Sequence, residues 1–176
     1  MFEFVKSLFH RSQGEAAPAA SAQVAEAPLG VPGQPDVENI PLAAAVLLME
    51  AAMMDDSLEA TEEKIIVELL QRKFECTRVE AMQLLQMASA ETEDHTRFYY
   101  YAKTLKDRLN ETGRKEISAM LWDVAYADGI LHDYEASLVQ RVSGMLNVAE
   151  RDCEQLRIEA EARLQRQNAG NFPEGE

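Results

Sequence analysis

From residue 40 onward, apolar residues recur at helical spacing. Leu42, Ala45, Val46, Met49, Ala52 and Met53 share one helix face, and the acidic stretch Asp55, Asp56, Ser57 ends it. Ile66, Leu69, Leu70 and Phe74 stripe a second helix, capped by Thr61 or a neighbour. Ala81, Leu84, Leu85 and Ala88 mark a third, with Thr77 as its cap. A polar break over 91–95 separates it from a fourth, carried by Phe98, Ala102, Leu105 and Leu109. Residues 110–113 read as a turn. Ile117, Met120, Leu121 and Val124 form a fifth helix that ends at Gly129. Leu138, Val142 and Met145 belong to a sixth, and Cys153, Leu156, Ala160 and Leu164 to a seventh. Pro41 suits a first helical position. No stretch combines two-residue alternation with β-branched enrichment. The pattern predicts an all-α domain of about seven helices with short connections.

The pattern changes at both ends. Residues 1–12 predict a short amphipathic helix with Phe2, Val5 and Phe9 on one side and Lys6, His10 and Arg11 nearby. Docking on the domain, or fraying, is favoured for it over weak interfacial anchoring, because one short helix with few charges anchors poorly. Residues 13–39 carry Pro18, Pro28, Pro32 and Pro35 among Ala, Gly and Ser, which predicts a disordered linker. The helical domain then runs over 40–167, and 168–176 forms a flexible tail.

One acidic hairpin occurs twice inside that domain. Trp122 to Glu135 aligns without a gap on Met49 to Glu62. Glu50 pairs with Asp123, Asp55 with Asp128, Leu58 with Leu131, and Glu62 with Glu135. The match continues through Ile65 and Ile66 with Leu138 and Val139. Two hairpin units packed about a pseudo-twofold axis would each bury the other's apolar stripe. If the helices of one hairpin are antiparallel neighbours, Asp123, Asp128 and Glu135 approach its open end. Converging carboxylates raise one another's pKa unless a cation lies between them. An all-oxygen ligand set suits calcium first, with magnesium or manganese as alternatives. Each residue also has a plain structural reading: Asp128 beside Gly129 is an ordinary helix stop, and Glu135 and Glu62 favour a helix N-terminus.

Charge narrows the partners. With 31 acidic and 17 basic residues, net −14, the chain would repel nucleic acid and suits cations or a basic partner. Cys76 and Cys153 make no zinc or disulfide pattern and predict buried thiols in a reducing compartment. No run is long enough for a membrane span, and the N-terminus lacks signal-peptide character, so a cytoplasmic protein is expected. His10, His95 and His132 read as ordinary histidines, and Ser, Cys and His residues do not cluster, so no enzyme is expected. In the aromatic run, Phe98 and Tyr101 are expected inside and Tyr99 or Tyr100 outside, with Trp122 in the core.

The two turns, Ala52, Met53, Met54, Asp55 with Glu62, and Ala125, Tyr126, Ala127, Asp128, Gly129 with Glu135, resemble the TerB-like domain. That domain occurs in tellurite-resistance TerB proteins and in some membrane-anchored DnaJ-type co-chaperones. The similarity covers about 41–164, and the first turn has Asp56 where the second has Gly129. The resemblance implies a helical bundle with internal pseudo-symmetry. It places divalent-cation ligands at Glu50, Asp55, Glu62, Asp123, Asp128 and Glu135. It also implies a bacterial protein, a stress-response role and a protein partner, a membrane protein among the options. Membrane contact, read from the N-terminal segment itself, is at most peripheral through residues 2–9. The alternative is a metal-free acidic adaptor that meets a basic or apolar partner surface.

Overall fold

The computed structural model describes residues 39–53, 58–92 and 95–170, with the side chains of 95–96 and 167–170 left aside. The expected N-terminal helix, linker and extreme tail lie outside these residues. Seven helices follow in order among the described residues: α1 Ile40–Ala52, α2 Ala60–Phe74, α3 Arg78–Thr92, α4 His95–Arg108, α5 Glu111–Ala125, α6 Asp133–Met145 and α7 Glu150–Gly170. No strand occurs among them, so the all-α expectation holds.

Helix α1 is the axis of the bundle. Asn39 starts it, its Oδ1 accepting from the Leu42 N–H at 3.1 Å, and Pro41 occupies the first turn, where no N–H is needed. The sequence pattern predicts one buried face. The structure buries all of them: Ala43, Ala44, Leu47, Leu48 and Ala51 are as enclosed as the expected stripe. The reason is that α2, α3, α4, α5 and α6 all pack against this one helix. A helix that is apolar all round is stable only in such a position. Each fully buried leucine there contributes on the order of 1.5–3 kcal/mol from desolvation.

Helix α5 is the second pivot, touching α1, α2, α6 and α7. Its Ile117, Leu121 and Trp122 are fully buried. The Ser118 and Ser143 hydroxyls bond to each other between α5 and α6, which removes the cost of burying either alone. Residues 110–113 are not the expected turn. Asn110 is an N-cap whose side chain accepts from the Gly113 N–H at 2.8 Å, and Gly113 is already helical. A Cβ at Gly113 would lie 3.3 Å from the Leu109 side chain, so the missing side chain lets the incoming chain pack closely.

Other expectations shift by a turn or less. Of Thr61 and its neighbours, Glu59 is the residue that caps α2. Helix α5 closes at Ala125, and a turn precedes Gly129. Helix α7 continues to Gly170, past the point where its apolar pattern fades, because its first half is already anchored on the bundle by Cys153 and Ala160. Thr77 does cap α3, forming a capping box with Glu80. Phe98, Tyr101 and Trp122 are buried, while Tyr99 and Tyr100 face outward. Cys76 and Cys153 are buried free thiols.

Candidate functional site

Two helix starts and one turn build the acidic corner. In the second hairpin, Tyr126 caps α5 and Gly129 turns the chain with φ +91°, a conformation that costs glycine little. Asp128 Oδ1 accepts from the Ile130 N–H at 2.9 Å, which fixes the turn. Helix α6 then opens with a capping box: Glu135 Oε2 accepts from the His132 N–H at 2.8 Å. The first hairpin repeats this device. Glu62 Oε2 accepts from the Glu59 N–H at 2.8 Å at the start of α2. The aligned residues Glu62 and Glu135 therefore hold the same capping position.

Burial raises the Glu62 carboxyl above its ordinary value of 4.5, and the negative charges of Glu59, Glu135 and Asp128 push in the same direction, against the Glu59 N–H that lowers it. Glu62 thus feels carboxylates from the opposite hairpin. Glu50 is half-buried near the end of α1. Asp55 lies outside the described residues.

Asp123 does not join Asp128 and Glu135 as the hairpin geometry led one to expect. Its Oδ1 accepts two hydrogen bonds from Arg163 of α7, from Nε at 2.9 Å and from Nη2 at 2.6 Å. Its Oδ2 lies 3.9 Å from Arg72 of α2. A carboxylate shared by two guanidiniums has its charge neutralised in place. Among the described residues, no three acidic, histidine or cysteine side chains are grouped so as to hold a metal ion. Glu62, Asp128 and Glu135 offer only carboxylate oxygens, the donor type that hard cations take, and a cap or turn bond engages one oxygen of each.

Sequence reasoning missed the arginine clamp. Arg163 sits 40 residues from Asp123, on a helix whose charges alternate in sign, and nothing local marks it. His132 is an exposed N-cap stacked on Tyr134, with ring centroids 5.5 Å apart. No helix among the described residues is long and apolar enough to cross a membrane.

No curated protein and no solved structure matches the chain. The family model described as tellurite resistance protein TerB matches residues 41–158, well over half of the sequence and all seven helices at least in part. The repeated capped hairpins and the matched region agree, and the chain belongs to the TerB family.

Proposed function

We propose that this TerB-family chain is a divalent-cation-binding module that acts through a protein partner in stress response or membrane-associated signalling. The observation that supports the reading is the gathering of carboxylates at the start of α2 and the α5–α6 turn: burial is the first cause of the raised Glu62 carboxyl, and the negative charges of Glu59, Glu135 and Asp128 add repulsion to it. A cation between the hairpins would relieve that repulsion and tie the start of α2 to the α5–α6 turn. Glu62, Asp128 and Glu135 are the assigned ligands, and Glu50 and Asp55 are kept as candidates on the family resemblance alone. Asp123 is reassigned to the arginine clamp. Calcium fits oxygen ligands drawn from flexible turns better than magnesium does, and manganese falls between.

The test is thermal melting of the full chain in chelator and then in calcium, magnesium or manganese at matched ionic strength. A ligand specific to the folded state adds about 2.7 kcal/mol of stability at a hundredfold excess over its Kd. Asp128→Asn with Glu135→Gln keeps an acceptor oxygen at each turn and is expected to lose the response. An ion-selective rise that persists in this double variant would end the assignment.

A second reading is favoured by the cap and turn bonds themselves: each of the three carboxylates has structural work without a metal. On that reading the chain is a metal-free acidic adaptor for a basic partner. Partner capture that weakens with salt and ignores chelator supports it.

A further inference from the structure

A groove of about 440 Å³ opens between α2, α5 and α7, starting at Thr61 and Ala127 beside the acidic corner and running to Arg72 and Arg163. We propose that it binds a small organic anion, with a carboxylate or phosphate head on Arg72 and Arg163 and an apolar body along the α2 and α7 walls.

Its sign stands out first. The lining brings Lys64, Arg72 and Arg163 together against Glu68 and Asp123, three cations to two anions, in a chain with 31 acidic and 17 basic residues. A concave site with low-dielectric walls focuses such a local excess. The same arithmetic argues against a polyanion such as nucleic acid, which the rest of the surface would repel.

Asp123 explains how the cations are presented. It holds Arg163 through one oxygen and faces Arg72 with the other, so one carboxylate gathers guanidiniums from two helices and leaves one positive charge over. A guanidinium has five N–H donors, and Arg163 spends two of them on Asp123. Arg72 stands at 3.9 Å from the carboxylate, beyond hydrogen-bond reach, with most of its side chain exposed. Among the described residues it has no other ionic partner. Two such groups at one mouth match the paired oxygens of a carboxylate or phosphate.

The remaining wall is apolar. Ile65 and Leu69 come from α2, Ala160 and Leu164 from α7, and Tyr126 lines the same groove. Its volume falls within the range of small-molecule sites. An anionic head with an apolar body uses both halves, whereas an inorganic anion uses only one.

The test titrates the full chain with phenyl phosphate and 4-phenylbutyrate at fixed ionic strength, following amide NMR shifts. Inorganic phosphate and benzyl alcohol serve as the head alone and the body alone. The expected result is a saturable response on α2, α5 and α7 to at least one organic anion. It should be roughly tenfold tighter than to either half, given the strength of charge-assisted hydrogen bonds. The tighter of the two organic anions identifies the head group. Arg72→Gln, a change at an exposed side chain, is expected to weaken binding roughly tenfold, and Glu68→Gln to tighten it by removing a nearby anion. No saturable response, equal binding of benzyl alcohol, or binding unchanged by Arg72→Gln overturns the proposal.

Discussion

Asp123→Asn separates the two roles that a carboxylate on α5 could have. The wild-type side chain is four-fifths buried, 20% exposed, and accepts bonds of 2.6 and 2.9 Å from an arginine that is itself only 35% exposed. Exposed ion pairs contribute roughly 0.2–1 kcal/mol, and hydrogen bonds to charged groups about 1.5–3 kcal/mol. A partly buried pair with two bonds on one oxygen lies between, so we expect a coupling of about 1–2 kcal/mol between Asp123 and Arg163. At roughly 3 °C per kcal/mol for a domain of this size, Asp123→Asn should lower Tm by about 3–6 °C. The assay is a double-mutant cycle in urea at neutral pH with Asp123→Asn, Arg163→Gln and the pair. A coupling below about 0.5 kcal/mol would place the pair with ordinary surface pairs and refute the clamp. The same variants test the site assignment. Stabilisation by calcium should survive Asp123→Asn and disappear in Glu135→Gln. Survival in both, or loss in both, contradicts the division of labour between these carboxylates.

Three further outcomes are expected. Because the folded state raises the Glu62 carboxyl, its contribution is present below the ordinary glutamate range and lost as pH rises through the raised value. Glu62→Gln, which retains a capping oxygen, should therefore stabilise the cation-free protein at neutral pH and make little difference in acid; urea midpoints at both pH values decide it. Leu47→Ala removes a fully buried side chain from the encircled α1 and should cost about 3–5 kcal/mol by chemical denaturation, whereas a loss near 1 kcal/mol would mean that this face is not enclosed. Gly129→Ala meets no atom within 4 Å of its new Cβ, so its cost of about 1 kcal/mol should come from the φ of +91° alone and should not be relieved by trimming neighbouring side chains.

Much of the bundle is legible along the chain because helix formation reports itself locally. Apolar residues three and four apart mark the inner faces, Pro41 and the Thr77–Glu80 box mark starts, and the aromatic run sorts itself into Phe98 and Tyr101 inside and Tyr99 and Tyr100 outside. The acidic hairpin repeat is legible for the same reason. Glu62 and Glu135 recur at equal distance from their turns, and each becomes a cap through bonds to a residue three positions away. The sequence by itself thus determined the helices, most of their boundaries within about a turn, and which carboxylates sit at helix starts.

What those carboxylates face was decided only in three dimensions. The far side of α1 is apolar in the sequence, but its burial depends on five helices arriving from elsewhere. Asp123 and Asp128 read alike as acidic residues of one hairpin, yet one meets Arg163 of α7 while the other lies where its charge reaches Glu62 of α2. Helical periodicity extends over one turn of one helix. Charge acts through space between side chains whose separation along the chain carries no signal, so its partners are chosen by packing.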